Sequence, residues 1–122
     1  MKQEYRIDDT EKIIYMSITG DCNLRDLETA LLKLTNDKNF SPNYNLLNDL
    51  RKCKFKFRPK DLDRFFRIFI EKFSKGTGKS AVLLDTPRET AFSIIHQERM
   101  KDTREIQLFS TYEAALNWLQ GG

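Results

Sequence analysis

The sequence predicts an α/β domain with a mixed, mostly parallel five-stranded sheet and four helices, in the order ββαβαβαβα. After an opening pair of strands, short apolar or β-branched runs alternate with stretches of helical periodicity. This alternation is typical of parallel strands joined by right-handed helical crossovers. The chain has 122 residues, the length of one ordinary domain. No repeat or low-complexity segment interrupts it, so residues 1–122 are assigned to a single domain.

The first two strands form a predicted hairpin that leads into a helix. Residues 3–8 alternate apolar and polar side chains, and residues 13–19 are rich in β-branched and aromatic side chains. The polar turn between them favours antiparallel pairing. Leucines at helical spacing predict a helix over residues 24–36, and Asn23 is suited to cap its start.

A buried strand and an extended segment precede the second helix. Residues 44–50 are predicted to form the strand, and residues 52–58 alternate basic side chains with Cys or Phe. Pro59 fits the first turn of a helix that runs to Phe73. Ile68 is expected to project away from the core face of this helix. The residues predicted to form that core face are Leu62, Phe65, Phe66, Phe69, Ile70 and Phe73.

The last third of the chain supplies two strands and two helices. Residues 81–84 are a short apolar run that predicts a central strand, and residues 86–100 predict the third helix. The side chains of this helix expected to face inward are Ala91, Ile94 and Ile95. Residues 105–109 predict the last strand, and Ser110 with Glu113 is expected to form a capping box for the last helix.

The composition excludes several classes of protein. Hydrophobic residues make up 39% of the chain and charged residues 32%, which is typical of a globular domain rather than a disordered chain. No apolar run is long enough to span a bilayer and no apolar signal region is present, so we expect a cytoplasmic protein. Cys22, Cys53 and the single histidine, His96, lack metal-ligand spacing. We therefore expect no metal and no cofactor; monomer and homodimer both remain open.

The positive charge is concentrated in residues 51–60. The net charge is +3, and this segment holds six basic residues and no acid, so the rest of the chain is net acidic. Period-two spacing places Lys52, Lys54, Lys56 and Arg58 on one face of an extended segment. Such a face can bind an anionic surface in a salt-dependent way, or it can be a solvated strand edge that prevents edge-to-edge pairing. No nucleic-acid-binding motif accompanies it, so we expect no nucleic acid partner.

Four stretches together carry a family resemblance. They are the opening hairpin that ends at Gly20, residues 46–51 (Leu-Leu-Asn-Asp-Leu-Arg), residues 81–87 (Ala-Val-Leu-Leu-Asp-Thr-Pro), and the closing residues 109–119. In this order and spacing the chain resembles the STAS fold, the anti-sigma-factor-antagonist-like fold, and within it the SpoIIAA-like branch. The resemblance covers residues 5–119, nearly the whole chain.

The resemblance implies a non-enzymatic regulatory or scaffold module that binds a protein partner near the loop before the second helix. Classical members carry in that loop a serine that a partner kinase phosphorylates. Residues 57–61 contain neither serine nor threonine, so that switch does not carry over and no phosphorylation site is predicted. The residues expected to contact a partner or an anion are Lys52, Lys54, Lys56, Arg58, Lys60, Arg64 and Ile68.

Two other functions remain open on the sequence alone. A carrier or sensor of a small anionic or lipid-like ligand would need a closed pocket on the order of a few hundred Å³. A small hydrolytic or transferase enzyme would need Asp49, Asp85 or His96 to converge in one cleft. Both aspartates are expected at the carboxyl ends of parallel strands, where ligands bind in open α/β sheets.

One motif is rejected. Residues 73–80 end like a phosphate-binding loop, but Phe73 stands where the first glycine is needed, and a helix precedes the segment where a strand is needed. We expect Gly76 instead to end the second helix in a left-handed conformation.

Overall fold

The elements follow one another in the predicted order, with one strand added. A computed structural model of the protein describes residues 1–121, and within them it has six strands and four helices. A 3₁₀ turn, Pro59–Leu62, immediately precedes the second helix. The bounds of the ten elements are β1 Lys2–Asp8, β2 Ile13–Cys22, α1 Leu24–Thr35, β3 Asn45–Asp49, β4 Cys53–Phe55, α2 Asp63–Phe73, β5 Ser80–Leu83, α3 Pro87–Arg99, β6 Ile106–Phe109 and α4 Tyr112–Leu119.

The sheet is mixed and mostly parallel, as predicted. Its strand order is β1-β2-β3-β5-β6, and β1 alone of these runs antiparallel to its neighbour. The added strand, β4, lies off this path. The first half of β2 pairs with β3, and its last three residues, from Gly20 to Cys22, pair in parallel with β4. The predicted extended segment thus forms a short strand that prolongs the sheet beyond the end of β3.

The two faces of the sheet are covered unequally. Ile14, Met16 and Ile18 of β2 point into the larger core, which they share with α1, α2 and α3. The alternate residue Ile13 belongs to a smaller cluster with Ala115 and Leu119 of α4. Because side chains alternate along a strand, α4 covers one face of the sheet and the other three helices cover the opposite face. Since α4 is only 8 residues long, it leaves part of its face open.

Helix α2 buries the aromatic face that its spacing predicts, but the positions of Ile68 and Ile70 are reversed: Ile70 is exposed and Ile68 packs inward. Phe65, Phe66, Phe69 and Phe73 are buried, and each contributes about 1.5–3 kcal/mol by leaving water. The predicted core residue Ile70 is 40% exposed. Conversely, Ile68, which we expected to project outward, is half-buried and packs against the larger core. The inward arc of α2 is therefore rotated slightly toward Ile68.

Helix α3 shows the largest departure from expectation. Ala91, Ile94 and Ile95 do not face inward; all three are exposed, and Ile94 is 52% exposed. The inward face follows a different helical phase and carries polar groups. The residues on it are Glu89, Phe92, Ser93 and His96, followed by the buried Met100 just beyond the helix. Because polar side chains lie on the buried face, the spacing of hydrophobic residues does not reveal which face of the helix points inward.

The glycines of the rejected phosphate-loop motif have a packing role. A side chain at Gly76 would lie 2.1 Å from the carbonyl oxygen of Pro42, and one at Gly78 would lie 2.1 Å from that of Tyr44. The conformation of Gly76 is not left-handed, so our expectation of a left-handed helix end was wrong. Both positions require glycine because the backbone of the 42–44 loop passes against them.

Arg104 is hydrogen-bonded to the 42–44 loop and to the loop that precedes β5. Its buried guanidinium donates to Ser80 Oγ at 2.7 Å and to the carbonyl oxygens of Pro42, Tyr44 and Lys79. It also lies 4.6 Å from the centroid of the Phe73 ring. Burial lowers the pKa of Arg104 to about 10, which leaves it charged at neutral pH. The loops at the amino ends of β3 and β5 are thereby held at fixed positions.

The helix ends are partly as predicted. Asn23 caps α1 and forms a capping box with Asp26. Helix α4 is capped by Thr111, whose hydroxyl accepts from the Ala114 N–H at 3.3 Å, and not by Ser110. Within residues 1–121, none of the helices has the length and apolar character needed to cross a membrane.

Candidate functional site

The predicted basic face exists as an exposed row. Lys52, Lys54 and Lys56, called the lysine row below, are exposed, and so is Arg58. The residues that alternate with them, Cys53, Phe55 and Phe57, are buried in the larger core. Since that core lies under α1, α2 and α3, the row stands on the opposite face of the sheet, the face that α4 covers only in part. The period-two prediction is confirmed.

Hydrogen bonds to β2 hold one edge of the row. The N–H of Gly20 donates to the carbonyl of Lys52 at 2.9 Å, and the N–H of Lys56 donates to the carbonyl of Cys22 at 2.9 Å. These bonds bracket β4 at both ends, so a strand of three residues is held along its whole length on this side.

The outer edge of β4 is closed by two side chains from the first turn of α3. Glu89 accepts from the Phe55 N–H at 2.9 Å, and Arg88 donates to the carbonyls of Phe55, at 3.2 Å, and Phe57, at 2.9 Å. Burial acts to raise the pKa of Glu89, but hydrogen bonds from the Thr86 hydroxyl and from backbone N–H groups outweigh it, and the net pKa is lowered. Glu89 is therefore ionised beside Arg88, and the strand edge is satisfied within the molecule.

An aromatic cluster fixes the row from beneath. The rings of Phe55 and Phe57 stack at 5.1 Å, and both contact Phe92 of α3 edge-on, at 5.5 and 5.3 Å. The Arg88 guanidinium lies 5.0 Å from the Phe92 centroid. Because backbone and buried side chains are both anchored, the lysines project from a preorganised support.

The charges of the basic segment are only partly compensated. Arg51 makes a two-pronged contact with Asp49, at 3.0 and 2.9 Å, and Arg58 lies 3.4 Å from Asp61. Within residues 1–121, by contrast, the lysine row and Lys60 have no carboxylate at ion-pair distance. The uncompensated positive charge of this region is thus carried by lysines alone.

The row borders an open polar cleft of about 400 Å³. Asp49 and Asp85 both line this cleft, at the carboxyl ends of the neighbouring strands β3 and β5. The hydrogen bond from Arg51 holds the pKa of Asp49 below its usual range. The residues lining the cleft are Ser17, Thr19, Asp49, Arg51, Lys52 and Asp85. Lys52 belongs to both the row and the cleft, which form one continuous surface.

Two of the predicted contact residues lie elsewhere. Arg64 lies on α2 and pairs with Glu28 of α1 at 3.3 Å, and Ile68 packs against the core on the same side of the sheet. The sheet therefore separates both residues from the lysine row. The single surface that we expected, running from Lys52 to Ile68, is divided in two.

The two cysteines are neighbours in the sheet. Cys22 at the end of β2 and Cys53 at the start of β4 are both buried and free. The Cys22 thiol donates to the carbonyl of Asn23 at 3.5 Å, and the interaction between the neighbouring thiols raises the pKa of Cys53 and lowers that of Cys22. They lie under the row, against its buried side.

A cavity of about 90 Å³ lies on the other side of the sheet, between it and helices α1, α2 and α3. Its walls are largely apolar, and Asn48, Ser93 and His96 are among the polar residues that line it. The cavity is smaller than the few hundred Å³ expected for a lipid-like ligand. His96 lies here, on the opposite side of the sheet from Asp49 and Asp85, which share the polar cleft.

Several residues of these sites were not identified from the sequence. Arg88, Glu89 and Asn48 carry no motif, and their roles depend on which strand or helix lies opposite them. The one signal in the sequence was an acidic residue, Glu89, in the first turn of a predicted helix. Among residues 1–121 there is no group of three or more His, Cys, Asp or Glu side chains arranged to hold a metal ion.

The comparisons with known proteins identify the fold. No protein-family model and no curated protein sequence matches the chain. A solved structure does: that of an uncharacterised protein of the DUF3478 family, with a SpoIIAA-like fold, from Shewanella loihica PV-4. The match has a TM-score of 0.61 and 15% sequence identity, and it covers 96% of this chain and 93% of the other. The chain therefore has a SpoIIAA-like fold, as the sequence resemblance indicated.

Proposed function

We propose that this domain is a non-enzymatic interaction module, and that its lysine row binds an acidic, extended segment of a protein partner. The observation that carries the proposal is the row itself: three exposed lysines without carboxylate partners, one on a strand whose backbone and buried face are both fixed and one directly on either side of it. The SpoIIAA-like fold supports a regulatory or scaffold role.

The spacing of the row favours an extended peptide. Alternate residues of an extended segment are about 6.6 Å apart, so Lys54 in β4 and Lys56 directly after it lie at about that interval, while Lys52 extends the row from the turn before β4. An extended peptide with an acid at every second position presents carboxylates at the same interval. Rigid presentation reduces the ordering cost of binding, and the unpaired charges speed association.

The proposal assigns no catalytic group to this surface. In the cleft, the carboxylate of Asp49 is occupied by Arg51, and His96 lies across the sheet. Backbone augmentation at β4 is not proposed either, because Arg88 and Glu89 already satisfy its outer edge. The lysine row would therefore recognise its partner through the charges of its side chains.

The test is a charge reversal with a matched control. One variant combines Lys52→Glu, Lys54→Glu and Lys56→Glu; the other reverses Lys33, Lys38 and Lys75, which are also exposed and outside the row. The probe is a fluorescent peptide that alternates glutamate and serine, followed by anisotropy at several salt concentrations. The row variant should bind at least tenfold more weakly than the wild type, and the control variant within about threefold, with a salt dependence like that of the wild type.

Two results would contradict the proposal. Unchanged affinity in the row variant would show that the lysines make no contact with the peptide. Equal losses in both variants would show that only the overall charge matters and that the row has no special role. A thermal melt of each variant checks the fold, which should persist because all the replaced side chains are exposed.

A further inference from the structure

The cavity beneath helices α1, α2 and α3 contains polar atoms that the protein does not satisfy. Asn48 Oδ1 and His96 Nδ1 are buried, and neither has a hydrogen-bond partner. Both residues line the cavity. Unpaired buried polar atoms are rare because each costs on the order of 1–3 kcal/mol, so two around one cavity need an explanation.

The two atoms have complementary hydrogen-bonding needs. A carbonyl oxygen such as Asn48 Oδ1 only accepts. His96 is packed between aromatic rings, stacked on Phe66 at 5.5 Å and edge-on to Phe69 at 4.6 Å, and burial lowers its pKa to about 4. The ring is therefore neutral at pH 7, and Nδ1 donates or accepts according to its tautomer. In the tautomer with the proton on Nδ1, one hydroxyl group satisfies both atoms, because it donates to Asn48 Oδ1 and accepts from the His96 Nδ1–H.

The rest of the cavity calls for an apolar group. Its volume of about 90 Å³ is several times what one water molecule needs, and smaller than the cavity of about 150 Å³ that takes benzene. Most of its wall is Leu, Ile, Val and Phe, for example Leu31, Phe69 and Val82. Water could satisfy the polar atoms but would face hydrocarbon over the remaining wall, which is unfavourable.

We propose that this cavity binds a small neutral molecule that has an apolar body of a few carbon atoms and one hydroxyl group. The hydroxyl hydrogen-bonds with Asn48 and His96, and the carbon body fills the space against the aromatic wall. This site lies on the opposite side of the sheet from the lysine row and does not depend on its function.

Isomeric probes test the hydroxyl directly in the wild-type protein. 1-Propanol and methoxyethane have the same formula, but the ether cannot donate a hydrogen bond. In titrations followed by amide ¹H–¹⁵N spectra, 1-propanol should shift the signals of cavity residues such as Phe69 and Val82. Methoxyethane should bind at least tenfold more weakly. Equal affinity of the two, or no shift with 1-propanol, would overturn the proposal.

A variant tests whether Asn48 binds the hydroxyl group. Asn48→Leu keeps the size of the side chain and removes the acceptor, so it should lower the affinity for 1-propanol at least tenfold. Xenon, which fills apolar cavities without hydrogen bonds, serves as the control and should bind wild type and variant within about twofold. If xenon binds while 1-propanol does not, the cavity is only an apolar void or holds water, and the proposal fails. If Asn48→Leu does not fold, His96→Leu serves in its place.

Discussion

Arg104 and His96 both place ring or guanidinium nitrogens in the interior, and the two side chains respond to it differently. Arg104 keeps its charge because four hydrogen bonds and an aromatic face replace water around it. His96 has no such partners at Nδ1 and stays neutral instead. The difference follows from the two side chains: a guanidinium barely titrates and must be satisfied, while an imidazole can lose its proton when it is buried.

His96 should make the stability of the protein depend on pH. Its pKa is about 4 in the folded protein and 6.5 when exposed, so the unfolded chain binds more protons between these values. Stability is therefore full above about pH 6.5 and falls as the pH drops toward 4. Between pH 7.5 and 5 the free energy of unfolding should fall by about 2 kcal/mol, as measured by urea unfolding.

The control for this prediction is His96→Leu, which removes the titrating group. Carboxyl groups with lowered pKa, such as Asp49 and Glu89, have ordinary values of 3.8 and 4.5, so they act only below this window. The variant should thus show a nearly flat profile between pH 7.5 and 5. An equal slope in wild type and variant would mean that another group is responsible.

At the scale of elements, β4 shows how a strand too short to be stable alone is supported by a distant helix. It has three residues, and its free edge is completed by Arg88 and Glu89 and its buried side by Phe92. All three come from the start of α3. The position of the lysine row is therefore set by contacts more than thirty residues away in sequence.

Glu89→Ala should destabilise the domain more than an exposed substitution on the same helix. The change leaves the buried Phe55 N–H without its acceptor and removes the carboxylate beside Arg88. We expect a loss of about 1–3 kcal/mol in urea unfolding. Glu98→Ala, an exposed site on α3, is the matched control and should cost less than about 0.5 kcal/mol. Equal losses at both positions would show that the clamp on β4 contributes nothing.

At the scale of the whole molecule, the sequence predicted what depends on order and periodicity. The hairpin, the alternation of strands and helices, and the exposed row all follow from local pattern, and the structure confirms them. The inward face of α3 was missed because Glu89, Ser93 and His96 are polar. The polar lining of the cavity was missed because Asn48 and His96 are nearly fifty residues apart, and no periodicity links them.

The difference between central and edge strands of the sheet should appear in amide hydrogen exchange. All four residues of β5 are buried, and the strand is hydrogen-bonded to β3 on one side and β6 on the other. Strand β1 is an edge strand with alternating exposure, paired only with β2. Amides of β5 should therefore exchange through global unfolding, and the outward amides of β1 orders of magnitude faster. Comparable exchange rates in the two strands would mean that the domain opens only as one cooperative unit, and that the edge strand β1 is no less stable than the central strand β5.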